Sequence, residues 1–355
     1  MKRCQGKKDK IINSSDGRSY YVNEETGEIQ EILQDRSSTG RVRRWEEYKS
    51  SNLELVNIYN GIEGDKFERK AKRLFGCGYL LGFVPVLDDN GVLVSQRVAK
   101  THSCHVRLCP LCAWRRSIKV QTHTMKILDY LEETKGYEYL LLTLTVPNVT
   151  ADELSKALDD IFLAFNKLSK YKAFQQAVKG WYRGLEVTHN TNRYSKSFDT
   201  YHPHLHNILA VNKSYFKSKD YIKQADWLAM WQKATRNPNI TQVDIRKIRP
   251  KNGFDNIRGA VCETAKYTVK SNDYITKDKE LSKSAVITLD NALANRRLVA
   301  YGGVMKEAHS KLNLDDEIDG NLANTSGDVI GDGEELEMLY YCFNIGIGHY
   351  VRKYV

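Results

Sequence analysis

Between residues 137 and 275 the apolar positions switch repeatedly between two periods. Leu140 to Val146 reads as a strand in which Thr143 and Thr145 alternate with bulky residues. Leu154, Leu158, Ile161, Phe165 and Leu168 then recur at helical spacing. Thr150 and Glu153 form a capping box ahead of them. Trp181 to Thr188 and Tyr201 to Val211 read as strands joined by a loop rich in Asn, Ser and Thr. Ser218 to Thr235 reads as a helix with Trp227 and Trp231, Ile240 to Ile248 as a strand, and Asp255 or Asn256 as the cap of a helix running to about Lys270. The order strand, helix, strand, strand, helix, strand, helix predicts an α+β fold with a largely antiparallel sheet.

Upstream, Tyr79 to Leu87 and Val92 to Val98 flank Asp88-Asp89-Asn90-Gly91, the pattern of a β-hairpin. A helix fits Ala113 to Glu133, with Trp114, Ile118, Met125, Leu128 and Leu131 as its apolar positions. Residues 1 to about 70 are polar with weak periodicity, and partial order is expected there. Within them, Asn23 to Gly27 signals a turn between two short strands, and Glu63 to Leu74 suits a short helix. Residues 284 to 312 read as mostly helical, the acidic Gly-rich stretch to about Glu337 as a flexible linker, and Met338 to Val355 as a docked terminal strand. The expected organisation is an N-terminal extension (1–75), a hairpin module with a basic helix (76–135), a sheet domain (136–312), and an acidic linker with a tail (313–355).

Composition narrows the partners. The 355 residues carry a formal net charge of +10, which favours a polyanion such as nucleic acid. The 21 tyrosines and 5 tryptophans include faces on which unpaired bases can stack. No apolar run approaches the roughly 18 residues that span a bilayer, and no apolar segment follows the first charges, so a cytoplasmic protein without a membrane partner is expected. Seven cysteines, several of them clustered, then point to metal or free thiols rather than disulfides.

Three constellations carry candidate chemistry. His204 and His206 lie two apart on a strand, so both project from one face while Leu205 points into the core. Such a pair can reach one metal ion, and Glu186, mid-strand between Leu185 and Val187 on the neighbouring strand, can complete the set. His202 is a possible replacement ligand or supporting group. A set of two imidazoles and one carboxylate leaves coordination positions open, as a catalytic Lewis acid requires, and suits Mn²⁺ better than Mg²⁺. On the downstream helix, Glu263, Tyr267 and Lys270 share one face. A tyrosine there could attack phosphorus, with lysine steadying charge and glutamate accepting a proton. Cys104-x4-Cys109-Pro110-Leu111-Cys112 contains a Cys-Pro-x-Cys knuckle, which implies a closed thiolate site for structural Zn²⁺. Cys77 is the chosen fourth ligand, with His102 and His105 as alternatives. The basic Arg107, Arg115, Arg116 and Lys119 beside it suggest contact with a DNA backbone.

Taken in this order, the motifs resemble the HUH endonucleases, and more closely the rolling-circle replication initiators of plasmids from Gram-positive bacteria. The resemblance rests on Thr143-Leu144-Thr145-Val146-Pro147-Asn148, His202-Pro203-His204-Leu205-His206 and Glu263-Thr264-Ala265-Lys266-Tyr267-Thr268-Val269-Lys270, and spans about residues 75 to 310. It implies an HUH-type sheet joined to a zinc-ribbon-like cysteine module. It implies a metal-dependent nickase and strand transferase in which Tyr267 attacks one phosphodiester of the plasmid double-strand origin, presented as a single strand or hairpin. Tyr267 would stay linked to the 5′ phosphate, Glu263 would activate the group that ends the round, and Tyr274 is the weaker alternative nucleophile. A host helicase and replication proteins are the implied partners, and an oligomer is possible. The competing readings are an HUH transposase and a non-enzymatic zinc-dependent DNA-binding regulator.

Overall fold

In a computed structural model, the described residues are 9–14, 18–37, 40–87, 89–90, 93–248, 259, 261, 264, 268–316, 320–323, 325 and 338–354. In chain order they form β1 (Asp9–Asn13), β2 (Ser19–Asn23), β3 (Ile29–Ile32), α1 (Trp45–Asn60), α2 (Asp65–Gly76), β4 (Leu80–Leu87), β5 (Leu93–Thr101) and α3 (Pro110–Thr134). Then come β6 (Glu138–Thr145), α4 (Leu154–Leu168), α5 (Lys172–Ala177), β7 (Val178–His189), β8 (Tyr201–Val211), α6 (Gln224–Thr235) and β9 (Asp244–Lys247). The last elements are α7 (Lys279–Ala292), β10 (Val299–Gly303), α8 (Val304–Lys311), β11 (Leu339–Asn344) and β12 (His349–Lys353). No helix among the described residues is long and apolar enough to cross a membrane.

The architecture is α+β, with two antiparallel sheets. A five-stranded sheet has the order β10-β7-β8-β6-β9, and a seven-stranded sheet the order β1-β2-β3-β12-β11-β4-β5. In the five-stranded sheet the period-two alternation sorts side chains onto two cores. Leu185, Leu205, Leu209, Leu142 and Leu144 join Leu158, Phe165, Trp227, Trp231 and Leu289 of α4, α6 and α7 on one side. Tyr182, Ile208, Ala210 and Leu141 join Val120, Ile127, Leu128 and Leu131 of α3, Met305 and Ala308 of α8, and Val261 on the other. Thr150 lies ahead of α4, and its backbone N–H donates to the Glu153 carboxylate at 3.1 Å, one half of the expected capping box, but the helix starts only at Leu154, with Glu153 as its N-cap and no side-chain cap bond.

Several elements differ from the sequence reading. The polar first 70 residues hold α1, whose Trp45, Leu55 and Tyr59 are buried. The Trp45 indole donates to Asp35 at 2.7 Å and meets Trp114 edge-on at 4.7 Å. Its ring partners Trp114 and Phe83 lie on α3 and β4, far away in sequence, so local periodicity carried little sign of it. The 284–312 stretch is interrupted by β10, which pairs with β7 on the sheet edge. Gly302 and Gly303 explain the break: a Cβ at Gly302 would stand 2.2 Å from the Trp181 ring, and Gly303 turns into α8 at φ +57. The C-terminal segment is a hairpin rather than one strand, and it inserts between β4 and β3. Both ends of the chain therefore share one sheet with the β4–β5 hairpin. The hairpin-turn positions Asp88 and Gly91 and the cap positions Asp255 and Asn256 lie outside the described residues.

One ionic cluster ties the N-terminal helices to α7. The buried Asp290 carboxylate accepts from Tyr59 at 2.9 Å, from Lys70 at 2.6 Å and from Lys66 at 2.9 Å. Burial alone would raise its pKa, but the bonds from Lys70, Lys66 and Tyr59 outweigh burial and hold it below the ordinary 3.8. A carboxyl depressed in this way stabilises the fold fully above its unfolded value and stops doing so as pH falls through the folded one. Asp290→Asn is therefore expected to cost about 1–3 kcal/mol at pH 7 in urea denaturation, with the gap from wild type narrowing below pH 3.8. No gap at neutral pH would show that the cluster does not hold these helices together.

Candidate functional site

The antiparallel register of β7 and β8 builds the first centre. Glu186 stands opposite His204, and Gly184 opposite His206. Positions 186, 204 and 206 share the sheet face of Tyr182 and Ile208, at its open end. One Glu186 oxygen lies 3.0 Å from His204 Nε2 and 2.7 Å from His206 Nε2. The two imidazoles meet edge to face, with centroids 4.9 Å apart.

The protons at this centre are informative. His204 Nδ1 lies 3.2 Å from the His202 carbonyl, which can only accept, so that nitrogen carries hydrogen. Without an ion a proton on His204 Nε2 bridges to the carboxylate; with an ion between them, the Nε2 lone pair and the carboxylate oxygen can both coordinate it. The geometry fits a bound metal, with the outer carbonyl setting the tautomer. His206 Nδ1 similarly meets the Thr143 hydroxyl at 3.4 Å. Burial alone would raise the Glu186 pKa, but its bonds to His204 and His206 outweigh burial and hold it well below the carboxylate range. Lys270 places its ammonium 3.6 Å from the other Glu186 oxygen and is itself exposed.

Glu263 and Tyr267 lie outside the described residues. The described residues flanking them touch β7 on either side of the metal set. Gly259, Val261 and Thr264 are helical, and the Tyr182 hydroxyl donates to the Thr264 carbonyl at 3.4 Å. The backbone N–H of Val187 donates to the Thr268 carbonyl at 2.7 Å. Gly184 passes close beneath, since a Cβ there would stand 3.2 Å from the Thr264 carbonyl. Tyr274 is fully buried, donates to the Leu108 carbonyl at 2.6 Å, and has its pKa pushed far up by burial. Its phenol is a structural strut, which removes it as a second nucleophile.

The four cysteines converge into a second centre. Cys77 ends α2, Cys104 follows β5, Cys109 precedes α3 and Cys112 lies in its first turn. Sulfur–sulfur distances are 3.6 Å for Cys77–Cys112, 3.7 Å for Cys104–Cys112 and 3.6 Å for Cys109–Cys77. Tetrahedral thiolate coordination with metal–sulfur bonds of about 2.3 Å has edges of about 3.8 Å, so the cluster fits a metal. His102 is exposed and His105 half-buried, and neither joins the set. Hydrogen bonds from the other three thiols push Cys112 down, whereas burial pushes Cys109 up. The buried Lys49 of α1 donates to the Cys77 carbonyl at 2.7 Å, and Asn52 reaches the Cys109 sulfur at 3.4 Å. These two positions were missed because α1 itself was missed. Asp273, whose buried carboxyl is pushed up by burial and whose charge interacts with Lys270 and Glu186, was also missed. A lone aspartate in a polar stretch offered no signal.

The basic positions of α3 do not form the expected outward surface. Arg115, Arg116 and Lys119 are buried, and Arg107 is half-buried. Arg115 donates to the carbonyls of Leu322 (2.9 Å) and Ala323, and Lys119 to that of Asp316 (3.0 Å) and to the Asp315 carboxylate. Described parts of the acidic linker therefore lie on the basic helix and take up its donors.

Comparison with known proteins completes the picture. Residues 95–351 match the family described as "Replication protein". A "Protein rep" from Bacillus amyloliquefaciens is 34% identical over 342 residues, 91% of this chain and 97% of the relative. Another, from Lactiplantibacillus plantarum, is 36% identical over 315 residues, 87% of this chain and 94% of the relative. A third, from Streptococcus pneumoniae, is 35% identical over 301 residues, 84% and 88% of the two chains. No solved structure matches. With a histidine–glutamate centre and a cysteine centre inside or beside the matched span, this chain belongs to the replication protein family.

Proposed function

We propose that the chain initiates rolling-circle replication of a plasmid, as an HUH-type nickase and strand transferase acting at the double-strand origin. The observation that carries this reading is the set of Glu186, His204 and His206, whose ligand atoms lie close enough to share one ion. The carbonyl of Thr268 accepts from the N–H of Val187, which follows Glu186 in β7. Tyr267 lies outside the described residues, and its role as the nucleophile is carried by its place in the sequence next to Thr268. A phenol suits in-line attack on a phosphate held over Glu186, His204 and His206.

The roles follow from chemistry. His204, His206 and Glu186 would hold Mn²⁺ or Mg²⁺, which when bound polarises the scissile phosphate. The Tyr267 phenol gives up its proton as its oxygen bonds to phosphorus, the phosphorus–O3′ bond breaks, and that proton is returned through solvent to the leaving 3′ oxygen. The free 3′ hydroxyl can then prime synthesis while the 5′ phosphate stays on Tyr267. Lys270 offsets the negative charge that accumulates during attack, from its place beside Glu186. Glu263 would later accept a proton from the water or hydroxyl that ends the round. Cys77, Cys104, Cys109 and Cys112 would hold a structural Zn²⁺, locking α2, the β4–β5 hairpin and α3 together. Origin DNA would enter as a single strand or extruded hairpin. A host helicase and the replication machinery would follow, in the cytoplasm.

A cleavage assay on single-stranded origin DNA with Mn²⁺ tests the nucleophile. Wild type is expected to form a covalent adduct and Tyr267→Phe none, while Tyr274→Phe keeps adduct formation in whatever fraction remains folded. An adduct that survives Tyr267→Phe would assign the attack to another residue. Metal analysis tests the cysteine centre separately. About one tightly held zinc per chain is expected, lost in Cys109→Ser and in Cys77→Ser but kept in His102→Ala. Loss of the zinc in His102→Ala would return the fourth position to that histidine.

A further inference from the structure

Three links run outward from the end of β7 that carries Glu186. The N–H of Val187 donates to the Thr268 carbonyl at 2.7 Å, and His189 Nδ1 donates to the Asp273 carbonyl at 2.7 Å. Beyond the strand, Arg193 pairs with the Asp278 carboxylate. These links lay residues 268–278 alongside β7 and the loop that follows it. The two segments form one continuous rim, which begins where Lys270 meets Glu186. The loop itself is tied together by side chains. Asn190 Nδ2 donates to the Ser195 and Ser197 hydroxyls, each at 2.8 Å, and the Thr200 hydroxyl donates to the Ser197 carbonyl at 2.6 Å.

Tyr194 stands on this framework 99% exposed, with its backbone N–H held by Asn192 Oδ1 at 3.0 Å. Single apolar side chains on a surface are ordinary. This ring differs in being held out by an ordered loop and flanked by charge. Lys196, Lys277 and Lys279 are exposed, and none of them pairs with an acid among the described residues. The neighbouring carboxylates are already engaged: Asp199 by His189 at 2.8 Å, Asp278 by Arg193, and Glu280 by Lys283 at 3.2 Å. The rim therefore offers unpaired cations and an aromatic face, on a loop that loses little freedom when a ligand arrives.

We infer that this rim carries the single strand outward from the cut, with one unpaired base stacked on Tyr194 and phosphates on Lys196, Lys277 and Lys279. An aromatic face accepts any base, and lysines follow the backbone without reading sequence. In a duplex the bases cover one another, so a lone ring gains its contact only from unpaired DNA. The rim thus holds the strand without selecting it. The inference rests on the nuclease reading for its ligand, while the ring and its lysines are independent of the nicking chemistry.

The full-length chain is titrated with a fluorescent oligo-dT of about 12 nucleotides, single-stranded and annealed to oligo-dA, across a salt series. Tyr194→Ala is expected to weaken single-strand binding at least about fivefold, with duplex binding unchanged. Tyr194→Phe, which keeps the ring, should restore it. The triple variant Lys196→Gln, Lys277→Gln, Lys279→Gln should lower the salt slope for the single strand by about 2. Zinc content, measured on the same samples, reports that each variant is folded. Single-strand binding by Tyr194→Ala within twofold of wild type, a Tyr194→Phe defect equal to that of Tyr194→Ala, or an equal loss on duplex would overturn the inference. The adduct assay on wild type separates the two readings. Adduct formation with normal strand binding by Tyr194→Ala removes the rim and leaves the nuclease. Weakened strand binding by Tyr194→Ala with no wild-type adduct does the reverse.

Discussion

The register between β7 and β8 is the constraint on which the rest depends. Setting Glu186 opposite His204 brings one carboxylate oxygen within hydrogen-bonding distance of two imidazoles. A one-residue slip would turn all these side chains to the other face and carry Leu205 out of its core. Two complete cores oppose that slip. Leu185, Leu205 and Leu209 are locked among α4, α6 and α7, and Tyr182, Ile208 and Ala210 beneath α3 and α8. The polar centre at the open end of the sheet is thus held by apolar packing along the same strands. The proposed chemistry asks of the carboxylate, the two imidazoles and the lysine only that this packing hold them in place.

The cysteine cluster plays a corresponding part at the other end of α3. Its sulfurs come from the end of α2, from the loop after β5 and from the first turn of α3. Two of the four sit at a helix N-terminus, where the peptide dipoles favour thiolate. Lys49 and Asn52 of α1 then tie the cluster to the N-terminal helix. Since α3 covers the sheet face of Glu186, His204 and His206, ordering its first turn also orders the second core. The cluster therefore acts on the proposed chemistry through position, at a distance.

Much of this was legible in the sequence where the determinants are local. The alternation in Leu140 to Val146 and Tyr201 to Val211, and the spacing of Leu154, Leu158, Ile161 and Phe165, are decided by faces a few residues apart. The same holds for His204 and His206, and for the hairpin pairing that brings Glu186 to them. The Cys-Pro-x-Cys knuckle also announced itself, and the choice of Cys77 over His102 matches the sulfur positions. Elements stabilised by distant partners stayed hidden. Trp45 needs Trp114 and Phe83 to be a core residue. The β11–β12 hairpin needs β4 and β3, more than 250 residues upstream of its own strands at the nearer of the two. Neither relation leaves a mark in any short window.

The basic stretch of α3 shows why charge was the least transferable signal. Arg115, Arg116 and Lys119 read as an outward cationic stripe because arginine and lysine usually end in water. Here the helix faces the sheet with one side and described parts of the acidic linker with another, so all three are buried. Arg115 and Lys119 satisfy their donors on backbone carbonyls of 316–323 and on Asp315. Arg116, between them in sequence, has no hydrogen-bond partner for its Nε and Nη2 among the described residues. Three adjacent cations thus divide into two that are consumed by the fold and one that is not. Net charge could rank nucleic acid first among partners, but only the hydrogen-bond partners of each guanidinium and ammonium separate a structural cation from one available to a ligand.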